Sequence, residues 1–229
     1  MAEKNVKLGE ANAVITAERA KSDKLLLSIL PPPIAAQLKE GVETIANSYQ
    51  GATVLFADLV GFTVFSQSVS PEELVRLLDQ IFTRFDHLAL KHGVEKIKTI
   101  GDCYMVVCGL PEPTPEHCQR IARMALEMLE QLREFNEAEH LEIRLRIGFH
   151  TGAVVAGVIG RQKFIYDLWG DTVNTASRME SSGAPDCIHV SEVVARELEG
   201  KFTCESRGEI EVKGKGKLHT YFLRGAIGE

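Results

Sequence analysis

Two acids stand where their chemistry would be unusual. Asp58 follows residues 53–57 (TVLFA), an apolar run suited to a strand buried on both faces. A carboxylate at the end of such a strand is costly unless it has a partner. Asp102 lies between two further strand-like runs, 94–100 and 103–108, in a Gly101-Asp102 pair with the chemistry of a tight hairpin. If the first strand and the hairpin are neighbours in one sheet, both carboxylates reach the same end. Two carboxylates in oxygen-rich surroundings suit Mg²⁺ or Mn²⁺ and a phosphate substrate. Capping a turn is the commoner job of an aspartate, and spacing alone favours it for either residue.

A second group lies downstream. Asp171 opens a helix on which Asn174 and Arg178, four apart, share one face. Amide groups and a planar cation there can meet a ribose and a phosphate, although a solvated polar face is the better fit when the helix is taken alone. In the run 213–216 (KGKG), glycines let the backbone approach phosphate and Lys213 adds charge, but the spacing is not that of a P-loop and a plain turn with solvated lysines serves nearly as well. The histidines are scattered without metal-ligand spacing, there is no nucleophile elbow for Ser-His-Asp chemistry, and Trp169 reads as a core residue.

The elements that position these residues follow from periodicity and punctuation. Ser70-Pro71-Glu72-Glu73 starts a helix with an N-cap, an N1 proline and a capping-box Glu, and Leu74, Leu77, Leu78, Ile81, Phe82, Phe85 and Leu88 give it an apolar stripe up to Gly93. Thr114-Pro115 opens another helix, striped by Ile121, Met124, Ala125, Met128, Leu129, Leu132 and Phe135. Residues 141–149 and 154–159 read as two strands. The Asp171-capped helix runs to about Glu180, a short strand covers 188–190, and Ser191 caps a short helix ending at Gly200. Strands 202–205, 209–213 and 218–223 close the chain. Strands alternate with helices and hairpins, which predicts a mixed sheet with helices on at least one face. Residues 1–45 differ. A helix over 6–30 has a thin apolar stripe, Pro31, Pro32 and Pro33 stop it, and a short helical piece follows at 34–39. Such a helix pairs with a copy of itself or with upstream sequence, or it frays.

Composition excludes several classes of function. The chain has 229 residues, 45% hydrophobic and 25% charged, with a net charge of -6. That is ordinary globular composition, and it disfavours nucleic acid as a partner, because phosphate neutralisation needs clustered Lys and Arg. The five cysteines, an odd number without CxxC spacing, read as reduced thiols. No apolar run is long enough to cross a bilayer and no signal peptide is legible, so the expected location is cytoplasmic.

Taken together, four segments in order carry a specific likeness. Residues 56–63 (FADLVGFT), 98–105 (KTIGDCYM), 166–179 (YDLWGDTVNTASRM) and 212–217 (VKGKGK) resemble the class III nucleotidyl cyclase catalytic domain, over about residues 48–225. The resemblance implies an α+β fold with a ferredoxin-like βαββαβ core and additional strands, preceded by an N-terminal helix. It divides the chain into a signalling helix and linker (1–45) and a catalytic domain (46–229). It also implies a head-to-tail homodimer with sites at the subunit interface. On the family pattern, Asp58, Asp102 and the backbone carbonyl of Leu59 hold two divalent metal ions. Asn174 orients the ribose, Arg178 contacts the reacting phosphate, and Lys213 binds the terminal phosphates. Ala153 stands where some relatives carry a further phosphate-binding Arg. The two base-reading positions fall on Lys98 and Asp167. Lys is donor-only and ionised Asp acceptor-only, which matches the N1 acceptor and N6 donor of adenine and opposes guanine. The expectation is an adenylate cyclase acting on ATP. A guanylate cyclase and a catalytically silent dimerisation or nucleotide-sensing module are the alternatives. Residues 22–38 look like the transducing helix of receptor-type cyclases, which implies a membrane-spanning or sensory portion upstream.

Overall fold

In a βαββαβ arrangement the strands alternate core-facing and outward-facing side chains, and β1 shows it. In the computed structural model, which describes residues 2–160 and 163–228, β1 spans Ala46–Val60. Leu55, Ala57 and Leu59 enter the core, so Asp58 between them faces the opposite side of the sheet. The short helix α3 (Phe62–Phe65) and the long helix α4 (Pro71–His92) follow, then the hairpin β2 (Glu95–Ile100) and β3 (Cys103–Cys108), helix α5 (His117–Glu139) and β4 (Arg144–Ile159). Beyond this core come β5 (Ile165–Trp169), α6 (Asp171–Ser181), β6 (Cys187–Ser191), α7 (Glu192–Glu197), β7 (Phe202–Val212) and β8 (Gly216–Ala226). One eight-stranded sheet runs β2-β3-β1-β4-β6-β8-β7, with β5 paired to β4. The first four strands in that order, with α4 and α5 as crossovers, are the ferredoxin-like core that the family resemblance implies.

The chain divides into two compact units, residues 1–46 with 157–167 and residues 47–156 with 168–229. In the larger unit, α4 and α5 lay Leu77, Ile81, Phe85, Ile121, Met128 and Phe135 on the sheet, and all six are buried. The start of α4 is as the sequence specifies: the Ser70 hydroxyl accepts a hydrogen bond from the Glu73 N–H, and Gly93 ends the helix at φ 63°. In the smaller unit, α1 (Ala2–Leu27) is followed by α2 (Pro32–Lys39), whose first turn takes the prolines that stop α1. Leu30, Ile34, Ala35 and Ile45 are buried, whereas Val14, Ile15, Leu25 and Leu27 are exposed on α1. The Ile45 carbonyl accepts a hydrogen bond from the Val158 N–H. Met1 and Glu229, at the ends of the expected domains, lie outside the described residues, as does the side chain of Thr63. No helix among the described residues is long and apolar enough to cross a membrane, and the five cysteines are free thiols.

Five local expectations are corrected. Residues 144–159 form one continuous strand, not two. The apparent break at Thr151-Gly152 is absorbed by packing: the buried Thr151 hydroxyl bonds the Ala52 carbonyl and the Thr53 hydroxyl of β1. Phe202–Val212 likewise form one strand, with a register shift at Gly208 in place of a break. Asp171 does not cap α6 but is its first residue, and Ser191 makes no capping bond because its hydroxyl is held by His150 Nδ1 at 2.6 Å. Trp169 is 37% exposed and is not a core residue.

Candidate active site

The two acids meet at one end of the sheet, Asp58 on β1 and Asp102 in the turn that leads into its neighbour β3. β1 pairs antiparallel with β3, and Asp58 lies opposite Cys103. Asp102 precedes Cys103 in the β2–β3 turn, where Gly101 adopts φ 63°, a left-handed conformation suited to glycine. Burial pushes the Asp58 carboxyl above its usual range, the Asp102 charge pushes it further, and Arg146 pulls it back. Arg146 comes from the neighbouring strand β4, where Leu145 and Ile147 point into the core and leave the guanidinium on the same face as Asp58. Its Nη2 donates to Asp58 Oδ2 at 3.1 Å, and its Nε donates to Glu180 Oε1 at 2.6 Å. Glu180 is also pushed up by burial, against the Arg146 hydrogen bond. Cys103 is pushed up to about 12, first by burial and then by the Glu180 and Asp58 charges. At neutral pH it is a neutral thiol that does not compete with the carboxylates for a cation. The Leu59 side chain is buried in the core, so its polar contribution is its main chain.

The second group is organised by α6, and glycines on β4 set where that helix lies. A Cβ on Gly148 would fall 1.9 Å from the Glu180 backbone nitrogen, and one on Gly152 would fall 2.7 Å from Thr172 Oγ1. The two glycines are about 13–14 Å apart along the strand, and residues 172 and 180 are about 12 Å apart along the helix. Helix α6 therefore runs antiparallel along β4, backbone close to backbone. The Thr172 hydroxyl donates to the Ala153 carbonyl at 2.6 Å, and His189 Nδ1 lies 2.7 Å from the Met179 carbonyl. Asn174 is exposed and Arg178 half-buried on this helix. The β7–β8 loop reaches its first turn through an ion pair between Lys215 and Asp171. Lys213 is exposed on the same loop, in a turn closed by the Lys215 N–H on the Val212 carbonyl at 2.9 Å.

The structure thus brings Asp58 to Asp102, and the Lys213 loop to the helix of Asn174 and Arg178. Among the described residues, neither acid makes a hydrogen bond or ion pair with Asn174, Arg178 or Lys213. Lys98 is half-buried on β2, beside a bulge, opposite Met105. Asp167 is half-buried on β5, in the smaller unit. Sequence reasoning missed Arg146, Glu180 and Lys215. A usable signal existed for the first two: an Arg between the apolar Leu145 and Ile147 of a strand, and a Glu next to Met179 on the buried side of a helix.

The adenylate and guanylate cyclase catalytic domain model matches residues 44–225. An adenylate cyclase of Mycobacterium tuberculosis is 47% identical over 216 residues, covering 94% of this chain and 49% of that protein. A guanylate cyclase soluble subunit beta-2 of Rattus norvegicus is 46% identical over 211 residues, covering 91% of this chain and 31% of that protein. The chain therefore spans about half the length, or less, of these relatives. Among solved structures, the guanylate cyclase domain of RhGC from Catenaria anguillulae in complex with GTP superposes with a TM-score of 0.76 at 39% identity, covering 79% of this chain and 99% of that one.

Proposed function

The chain belongs to the adenylate and guanylate cyclase catalytic domain family, and on that premise we propose that it closes ATP to 3′,5′-cyclic AMP with release of pyrophosphate. The observation that carries the reading is the Asp58–Asp102 pair: one carboxylate on β1 and one in the turn before its neighbour β3, close enough for one charge to perturb the other, with Arg146 as the opposing cation. Such a pair is hard, oxygen-only and negatively charged, which fits Mg²⁺ or Mn²⁺. Magnesium sites on nucleotides use one or two carboxylates together with substrate phosphates, not an all-protein cage. Asp58 and Asp102 would hold two such ions, with the Leu59 carbonyl as a further ligand. When bound, the ions lower the pKa of the ribose 3′-hydroxyl and offset charge on the phosphate oxygens.

The remaining work falls to side chains of the chain itself. Asn174 orients the ribose so that its hydroxyl faces the α-phosphate in line. Arg178 supplies guanidinium N–H groups where negative charge grows in the transition state. Lys213 holds the terminal phosphates, and the Lys215–Asp171 ion pair keeps its loop on α6. The lack of an Arg at Ala153 leaves more of that work to Lys213. Among the described residues neither acid bonds Asn174 or Arg178 directly, and a homodimer that takes its acids from one subunit and its Lys98, Asp167, Asn174 and Arg178 from the other would bring the two sets together. Residues 1–45 would couple an upstream sensory or membrane portion to that interface, and the exposed Val14, Ile15 and Leu25 of α1 suit a helix that pairs.

Relatives carry both activities in their names, so the choice of base rests on residue type. Lys98 donates to adenine N1 and Asp167 accepts from N6, and guanine would leave both mispaired. Product analysis with ATP or GTP and Mn²⁺ tests this directly. Cyclic AMP should form with kcat/KM at least ~100-fold above that for GTP. A preference for GTP would overturn the base assignment, and no turnover of either nucleotide would favour a silent module.

A further inference from the structure

The role of Arg146 follows from how it divides its donors. Its guanidinium bridges two carboxylates from different elements, Asp58 on β1 through Nη2 and Glu180 on α6 through Nε. The bond to Glu180 is the shorter and the more buried: the Glu180 side chain is 10% exposed and the Asp58 side chain 24%. Glu180 alone would satisfy a structural ion pair. The second bond reaches a carboxylate that already feels the charge of Asp102, and a free carboxylate there would relieve repulsion by turning away from its neighbour. Arg146 takes only the Oδ2 oxygen of Asp58 and leaves Oδ1 unengaged among the described residues.

We propose that Arg146 is a positioning residue of the metal site: braced by Glu180, it pins one oxygen of Asp58 so that the other is presented, with Asp102, to a divalent cation. The proposal rests on the metal-dependent reading above. It also ties the orientation of that acid to α6, the helix of Asn174 and Arg178. Lysine cannot replace the bridge, because one ammonium lacks the planar fork that meets two carboxylates at once.

Direct Mn²⁺ binding tests the idea without turnover. Free Mn²⁺ is measured by electron paramagnetic resonance on the full chain with 3′-deoxy-ATP, which lacks the attacking hydroxyl. The set comprises wild type and Arg146→Gln, Arg146→Lys, Glu180→Gln and Asp58→Asn, each with a melting temperature in chelator. Arg146→Gln should weaken Mn²⁺ binding about 10–100-fold, as loss of a partner behind a ligand does. Arg146→Lys should recover part of the loss, and Glu180→Gln should lose less than Arg146→Gln because its amide oxygen still accepts from Nε. In kinetics the KM for Mn²⁺ should rise with little change in the KM for ATP. Wild-type Mn²⁺ affinity in Arg146→Gln would overturn the proposal, and so would tighter binding, which would make Arg146 a competing cation. If Arg146→Gln does not fold, Glu180→Gln and Arg146→Lys carry the same test. Asp58→Asn separates the two levels: if it abolishes Mn²⁺ binding while Arg146→Gln leaves it intact, only the positioning role falls, whereas wild-type binding in Asp58→Asn removes the metal assignment itself.

Discussion

Gly148→Ala should damage the site from behind. The added Cβ would lie 1.9 Å from the Glu180 backbone nitrogen and 2.3 Å from both the Glu180 Cα and the Met179 carbonyl carbon. Carbon contacts are comfortable at about 3.5–4.0 Å, so clearing the clash takes a shift of roughly 1.5–2 Å. The obstacle is helix backbone, which no rotamer change can move. Gly148 is not in a left-handed conformation, so contact alone carries the effect. Overpacking of this kind costs about 3 kcal/mol, the upper part of the usual range, which for a domain of this size lowers Tm by roughly 6–12 °C. The helix that must move carries Asn174, Arg178 and Glu180, and a misplacement of about 1 Å at a reacting centre costs on the order of 100-fold in rate. Gly225→Ala is the matched control, because a Cβ there meets nothing within 4 Å and needs no unusual φ. Thermal melts and cyclic AMP production at saturating ATP read the two effects separately. Wild-type Tm and kcat in Gly148→Ala would refute the close packing of α6 on β4 from which the site geometry is argued.

Three further outcomes are expected. The double variant Lys98→Glu with Asp167→Cys should move the ATP:GTP ratio of kcat/KM toward GTP by on the order of 100-fold or more, and an unchanged ratio would remove both residues from base reading. His189 is fully buried and burial holds its pKa at about 4; the unfolded imidazole titrates near 6.5 and so takes up its proton first as pH falls. Stability should therefore drop between about pH 6.5 and 4, by on the order of 3 kcal/mol for this group, in urea titrations at stepped pH; a flat profile across that window would contradict the burial. Equal amounts of inactive Asp58→Ala and Arg178→Ala subunits should recover roughly a quarter of wild-type activity, since half of randomly mixed dimers hold one intact shared site; a mixture that stays dead would place both residues in one subunit's site.

What the sequence made legible was local. The apolar run before Asp58 and the Gly101-Asp102 turn put one acid at a strand end and one at a hairpin tip, because strand burial and hairpin chemistry are written within a few residues; that the two share a sheet end depends on the pairing of β1 with β3, which is not. Ser70, Pro71 and Glu73 mark the start of α4 for the same reason. The misreadings share a cause as well. Thr151-Gly152 looks like a break until β1 supplies the Ala52 carbonyl and α6 supplies Thr172. Asp171 looks like a cap until Lys215, 44 residues away, takes its carboxylate. The Asp58–Arg146–Glu180 bridge spans separations of 88 and 34 residues, and no window of sequence contains it. Family resemblance supplied the roles of Asn174, Arg178, Lys98 and Asp167; their spacing alone fits a solvated surface as well.

Asp58 stands where a fold selected for stability alone would not place it. Its carboxyl is pushed up by burial and by Asp102. A group whose folded pKa lies above its unfolded value stabilises the fold only while protonated, and that stability is lost as pH rises through the folded pKa. At neutral pH the ionised acid is therefore a net burden without a cation. Asp58→Asn removes that burden while its amide oxygen can still accept from Arg146. In chelator, Asp58→Asn should melt at or above the wild-type temperature. Added Mn²⁺ should reverse the order, because an ion bound only to the folded state stabilises by about 2.7 kcal/mol at a hundred times its Kd, or roughly 5–10 °C here, and Asp58→Asn should gain little of it. A structural ion pair predicts the opposite in chelator: breaking a buried bridge costs about 3–5 kcal/mol, so the variant would melt well below wild type with or without metal. The melting temperatures of two proteins in two buffers thus decide whether Asp58 is kept for the stability of the sheet or for the cation it holds.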